Sequence, residues 1–445
     1  MNMETTKPVA SSQSSRRDFL LQSSVAATAA LLWPRALTAA MPETPRILLR
    51  SSWQIVNIGD IAHTPGVLAL LEKYLPDSEV ILWSSGDLTP EVSSLMTHRF
   101  PQLKIVKGRI NEDGRGSTPE LDEALRWTNF LLHGSGASFV AQRDVRDFVR
   151  HCNKPFGIYG ITFSGTTPEG IELLNQARFI FFRETVSLGV AKEQGVTCPI
   201  MEFGPDGAFA TDLVNDAAAD AFLEAAGLQA GKFLCCIPRL RFTPYWLIRN
   251  QPKDEAKADR NALMQEHDHA PLRDAIAAVV RETGNKVLIC PEDMTQMAIG
   301  RELLYNRLPE DVKSQVVCRD TYWLTDEALS TYKRSLGLFG LEMHSPIMCI
   351  GNGIPALVGR FEEQTSKGFM WRDIGLNDWL FDMDQPDDVA RLTPTVLRLV
   401  QQREAVLKEV EAAQQIVTQR QAATMKILAD QFSPDSSATP TVSPR

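Results

Sequence analysis

Cysteine is scarce in this chain, 7 in 445 residues, and none stands in a C-x-x-C pair or in a Cys/His cluster at ligand spacing. That argues against a zinc site or a disulfide framework. Positive charge is also short: 46 Lys and Arg face 55 Asp and Glu, and no Lys/Arg run is long enough to track a phosphate backbone. Nucleic acid is not an expected partner. Long apolar runs are missing too. The apolar stretch Ser23 to Trp33 is shorter than the roughly 20 residues a membrane span needs and is diluted by Ser24 and Thr28, so no stable span is expected in the mature form. What remains, 44% hydrophobic and 23% charged, is a globular composition with room for two domains.

The first residues carry an address. Ser15-Arg16-Arg17-Asp18-Phe19-Leu20 leads into that short apolar stretch and then Leu37-Thr38-Ala39-Ala40. This pattern predicts a twin-arginine signal peptide over residues 1–40, recognition by the twin-arginine export machinery, and a periplasmic or extracytoplasmic location. The seven thiols survive cleavage, and five sit in or beside apolar strand-like runs, which predicts that they are buried.

From Pro45 to about Gly207, short apolar runs alternate with amphipathic ones. Strands are expected near 46–49, 80–83, 103–106, 130–132, 156–162 and 179–182. After a helix near 216–226 and the break Gly227 to Gly231, the rhythm restarts with strands near 232–237, 286–290, 316–318, 335–339 and 355–358. Continuous apolar strands separated by helices mean parallel sheets covered on both faces. The fold class is α/β, with two Rossmann-like domains (41–226 and 227–385) facing a cleft, a helical segment over 386–432 and a disordered tail over 433–445. The polar insert 250–269 reads as a loop or solvated helix with His267 and His269 on the surface. In such sheets the site lies beyond the C-terminal strand ends.

Five strand-end segments carry candidate chemistry. In Asn57-Ile58-Gly59-Asp60, Gly59 permits a tight turn and Asp60 could cap a helix whose N-terminus suits an anion; a plain structural turn explains the segment as well. Glycines Gly134 and Gly136 would let a ligand reach backbone N–H groups. Arg183 ends another strand, where helix capping by Thr185 or Ser187 is the simpler account of its neighbours. Arg239 and Arg241 put guanidinium forks suited to carboxylate or phosphate at the cleft rim, or form a solvated pair. Glu342 and His344 lie between a strand end and a helix start, where histidine can exchange a proton near neutral pH or serve a purely structural role.

In their order and spacing, the turn Asn57 to Asp60, the glycines Gly134 to Gly136, Arg183-Glu184-x-x-Ser187, Asp206-Gly-Ala-Phe209, Arg239 and Arg241, and His344 with Gly353-Ile-Pro355 resemble the polysaccharide pyruvyl transferase family over roughly Ser51 to Leu380. The resemblance implies a GT-B-like fold and transfer of a pyruvyl group from phosphoenolpyruvate to the hydroxyls of a saccharide acceptor, forming a ketal without cofactor or metal. It makes His344 the catalytic acid or base and Arg239 or Arg241 the donor-binding arginine, with Asn57, Gly59, Asp60, Gly134, Gly136, Arg183 and Glu342 lining the substrates. Where the family commonly carries an arginine two residues before the histidine, this chain has Glu342, which is expected to repel an anionic donor. Two further readings stay open: an exported non-catalytic carbohydrate-binding or envelope-assembly protein, and a GT-B-like glycosyltransferase with another donor.

Overall fold

A computed structural model describes residues 44–433, apart from 52–54, 85, 87 and 250. The expected signal peptide and most of the expected tail lie outside these residues. Seven strands form the first sheet: β1 (Arg46–Arg50), β2 (Glu79–Ser84), β3 (Lys104–Lys107), β4 (Phe130–His133), β5 (Phe156–Ile161), β6 (Ile180–Phe182) and β7 (Met201–Phe203), in the order β3-β2-β1-β4-β5-β6-β7. Six form the second: β8 (Phe233–Ile237), β9 (Lys286–Ile289), β10 (Val316–Cys318), β11 (Leu338–Gly340), β12 (Ala356–Arg360) and β13 (Leu380–Asp382), in the order β10-β9-β8-β11-β12-β13. The strand pairs are parallel throughout. Central strands such as Phe233-Leu234-Cys235-Cys236-Ile237 are buried along their whole length, as helices on both faces require. The edge strands β7 and β13 escaped the sequence reading because Met-Glu-Phe and Leu-Phe-Asp are three residues each and lack a continuous apolar run.

Five helices position the site or close the fold: α1 (Ile58–Tyr74), α2 (Glu255–Thr283), α3 (His344–Gly351), α4 (Pro386–Gln401) and α5 (Arg403–Asp430). Helix α1 is buried on nearly every side from Ile58 to Leu71 and has no polar face, as befits a central helix. Its Ile58 and Ala62 belong to the same apolar core as β8 to β13, although the helix follows β1 in the chain. It also packs backbone to backbone on the turn 207–210: a Cβ on Gly66 would fall 1.9 Å from the Gly207 carbonyl oxygen. Helix α5 buries Val406, Val410, Ala413, Val417, Met425 and Leu428 at helical spacing. Its Arg420 donates to Glu202 of β7 at 2.8 Å, so the closing helix ties back to the first sheet.

The polar insert is the start of α2, capped by Asp254 and ended by Gly284 in the left-handed region (φ 68°). His269 is therefore not on the surface. It falls on the stripe with Leu272, Ala275, Ile276 and Val279, buried, and its Nδ1 lies 2.7 Å from the Gln265 carbonyl. All seven cysteines are free thiols; Cys198, Cys235, Cys236, Cys290 and Cys349 are buried and Cys152 and Cys318 half-buried. Among the described residues no helix is long and apolar enough to cross a membrane.

Candidate functional site

The C-terminal ends of both sheets deliver polar side chains to one buried cluster. Beyond β1, Asn57 caps α1: its Oδ1 accepts from the N–H of Gly59 (2.7 Å) and Asp60 (3.2 Å). The Ile58 N–H donates to the Glu292 carbonyl at 3.0 Å. Asn57 rather than Asp60 is thus the cap, and with its first amides satisfied the helix N-terminus is not an open anion site. One turn on, His63 is fully buried, with Nδ1 2.8 Å from Asp206 Oδ1 and 2.9 Å from Ser135 Oγ. Burial pushes the Asp206 carboxyl up, but His63 and Arg183 prevail and hold it below the usual carboxylate range. With Asp206 accepting at Nδ1, the neutral tautomer of this ring carries its proton on Nδ1 and leaves Nε2 as a lone pair. Arg183 donates through Nη1 to Asp206 Oδ2 (2.7 Å) and through Nε to Thr162 Oγ1 (2.6 Å). Thr162 is aimed there by an irregularity in β5, where Gly160 adopts φ +70° and the register with β6 shifts.

The second sheet supplies the other wall. Beyond β9, Glu292 accepts from the Ser345 N–H (2.6 Å) and lies 3.2 Å from His344 Nδ1, which turns the His344 Nε2 edge away from it. Burial, then the charge of Lys367, hold the His344 imidazole well below its usual range, so it is neutral at neutral pH. Beyond β8, Arg239 Nη1 donates to Glu342 Oε2 at 2.6 Å, and Gln296 Nε2 donates to Glu342 Oε1 at 2.7 Å. Burial pushes the Glu342 carboxyl up, with Arg239 opposing. Asp293 accepts from Thr295 and Gln296; burial and then the charge of Glu342 push it up to about 7. Beyond β12, Lys367 makes no hydrogen bond or ion pair with any described residue, and burial followed by the charge of Arg239 pushes it down to about 8. Among the buried polar atoms without a hydrogen-bond partner among the described residues, four belong to this cluster's ring and guanidinium groups: His63 Nε2, His344 Nε2, Arg183 Nη2 and Arg239 Nε.

Of the residues singled out from sequence, Asn57, Gly59, Asp60, Arg183, Arg239, Glu342 and His344 converge here. Gly134 and Gly136 flank the site differently from expectation. Their N–H groups donate to the carbonyls of Arg50 (3.0 Å) and Gly160 (3.3 Å), so they present no amide cradle, and it is Ser135 between them that reaches in. Arg241 stands outside the cluster, buried beneath Asp268, Glu363 and Asp384 with all its bonds directed at carboxylates. It follows Arg239 by two residues, yet it is neither solvated nor at a cleft rim. Sequence reasoning passed over Ser135, Glu292, Asp293, Gln296 and Lys367. Glu292 and Asp293 directly follow an expected strand and were open to the strand-end rule; Lys367, in a polar loop, gave no signal. The chain shows no metal-ligand spacing, but the fold brings Asp60, His63 and His344 together, each buried, with one ligand atom apiece within 4.8 Å of the others.

Comparison with known proteins gives a consistent picture. The sequence profile of the family described as polysaccharide pyruvyl transferase matches residues 57–358. No curated protein sequence matches the chain. Among solved structures, Anabaena Alr3699/HepE in complex with UDP and glucose is similar at a TM-score of 0.53 and 11% identity, covering 87% of this chain and 99% of that one. A putative UDP-N-acetylglucosamine 2-epimerase from Listeria monocytogenes gives 0.53 at 12%, covering 89% and 98%. The UDP-GlcNAc 2-epimerase of Methanocaldococcus jannaschii gives 0.53 at 10%, covering 86% and 99%. At these identities the likeness establishes the GT-B-like fold alone.

Proposed function

The chain belongs to the polysaccharide pyruvyl transferase family, and from that premise we propose that it transfers the three-carbon unit of phosphoenolpyruvate to two hydroxyls of one sugar residue. The observation that carries this reading is the unpaired ammonium of Lys367, whose charge bears on His344 and Glu342. With Arg183 Nη2 and Arg239 Nε also unpartnered, it forms a cationic wall suited to a small molecule carrying a carboxylate and a phosphate. A basic edge is made by Asp60 and the Nε2 atoms of His63 and His344.

In the proposed reaction that edge takes the proton of one acceptor hydroxyl, whose oxygen bonds to C2 of the donor while a proton adds to the methylene carbon and makes it a methyl group. The second hydroxyl oxygen then bonds to C2 as the C2–O bond to phosphate breaks, and its proton leaves with the phosphate. The cations offset the donor's charge as C2 becomes oxocarbenium-like. Binding of phosphoenolpyruvate to the purified chain, followed by calorimetry, and phosphate release on adding an acceptor polysaccharide test the reading. No binding at millimolar donor would overturn it. We further propose export by the twin-arginine route; replacing Arg16 and Arg17 with Lys should stop periplasmic accumulation, and normal accumulation would refute it.

A further inference from the structure

The basic edge has an unusual composition. The rings of His63 and His344 stand 5.0 Å apart and edge to face at 82°. Both Nε2 atoms are buried without a partner among the described residues. Behind each ring stands a carboxylate, Asp206 at 2.8 Å from His63 Nδ1 and Glu292 at 3.2 Å from His344 Nδ1. This backing fixes the tautomer that leaves a lone pair on each Nε2 and raises its basicity as a ligand. The Asp60 carboxylate, also buried, completes a set whose three ligand atoms lie within 4.8 Å of one another. Three acceptors thus converge with no donor between them, an arrangement costly in a buried site unless a cation answers it.

We propose that Asp60, His63 and His344 bind a first-row divalent transition-metal ion through the Asp60 carboxylate and the two Nε2 atoms. Two imidazoles and one carboxylate suit zinc, manganese or iron rather than the all-oxygen preference of calcium or magnesium. Bonds of about 2.0 to 2.2 Å place neighbouring ligand atoms roughly 3 to 3.5 Å apart, so the set closes by about an ångström on binding, within reach of side-chain rotation. Three protein ligands leave positions open, and two hydroxyls of one sugar residue fit them; with the ion bound, its charge would lower the pKa of a coordinated hydroxyl in place of the free Nε2 lone pairs acting as the base. That last assignment rests on the pyruvyl transfer reading; the ion site itself does not.

The test uses the full chain stripped with EDTA and titrated with Zn²⁺ or Co²⁺ alone, without donor or acceptor. One ion per chain is expected, with a rise in thermal midpoint and the visible bands of a cobalt site with nitrogen and oxygen ligands. His63→Ala and His344→Ala should each lose more than the roughly 10- to 100-fold that removing an outer partner costs. The circular dichroism of the stripped variants should be unchanged. If either variant does not fold, X-ray absorption on the zinc-loaded natural chain decides. Two imidazole nitrogens at about 2.0 to 2.1 Å support the site, and one or none overturns it. No ion bound at millimolar concentration, or equal binding by a folded His63→Ala/His344→Ala chain, also overturns it. Because no donor is present, failure here is separate from failure of phosphoenolpyruvate binding.

Discussion

Gly59 and His344 are pressed together so closely that a Cβ built on the glycine would fall 2.0 Å from the Cβ of the histidine. Gly59 belongs to the first turn of α1, after the first sheet, and His344 to the start of α3, after β11, so the contact sets how the two walls of the site meet. No flexible side-chain end is available to give way. Gly59→Ala should therefore cost about 1 to 3 kcal/mol, the usual penalty of overpacking. Urea denaturation measures it, and an unchanged midpoint would show that the contact is looser than the geometry says.

Arg241 was singled out in the sequence and Lys367 was not, and the structure gives them opposite tasks. Arg241 is buried against Asp268, Glu363 and Asp384. Arg241→Met removes the guanidinium from the fully buried Asp268, while Glu363 keeps Arg260 and Asp384 keeps the Glu362 N–H, and should lower stability by about 3 kcal/mol, the lower end for breaking a buried pair. Phosphoenolpyruvate affinity of the folded fraction should stay the same. A stable variant with weakened donor binding would place Arg241 in the site after all.

Lys367→Met should do the reverse. The half-buried ammonium has no partner among the described residues to strand, so the melting temperature should hold. Donor affinity should fall by roughly tenfold or more, as expected for losing a charge-assisted bond of about 1.5 to 3 kcal/mol. Isothermal calorimetry with phosphoenolpyruvate reads this directly; equal affinity in the two proteins would remove Lys367 from the donor wall.

The pH dependence of folding should expose Asp293. Its carboxyl is pushed up to about 7 by burial and then by Glu342, so between roughly pH 4 and 7 the native chain holds a proton that the unfolded chain has lost. Its contribution is present at low pH and is lost as pH rises through 7, with a slope of at most about 1.4 kcal/mol per pH unit. His133, His269 and His344, depressed by burial, act in the opposite sense, so the informative quantity is the difference between the natural chain and Asp293→Asn. The variant should gain stability relative to the natural chain as pH climbs from 5 to 8. A constant difference across that range would mean that Asp293 is ionised throughout.

Much of the architecture was legible because apolar runs such as Leu234 to Ile237 and Val287 to Ile289 carry strand and burial information locally. The strand-end rule likewise led to Asn57, Arg183, Arg239 and His344. What was not legible depends on distance in the chain. Nothing local tells Arg239 from Arg241: one meets Glu342 and the other Asp268, and only tertiary packing decides. Asp60 and His63 follow β1 while His344 follows β11, so their proximity has no spacing signature. The glycines around Ser135 were read for the freedom of their backbone, when the sheet had already taken their amides.

Glu342 was expected to repel an anionic donor, and the structure gives it a different position. Its two oxygens accept from Arg239 and Gln296, so the acid holds a guanidinium back rather than facing the cleft unopposed. Replacing it with the arginine of the family pattern would set donor against donor, with Arg239 and Gln296 left without an acceptor. Glu342→Arg should therefore lose stability and gain no affinity. Glu342→Gln keeps an acceptor oxygen in place and removes the charge, which frees Arg239 to bond to the ligand. Phosphoenolpyruvate should then bind more tightly, by a factor of roughly 3 to 10, as expected for relieving one repulsion already offset in part by Arg239. The gain should change little with salt, since Glu342 is buried and mobile ions screen it poorly. Weaker binding by Glu342→Gln would show that the acid aims Arg239 at the donor.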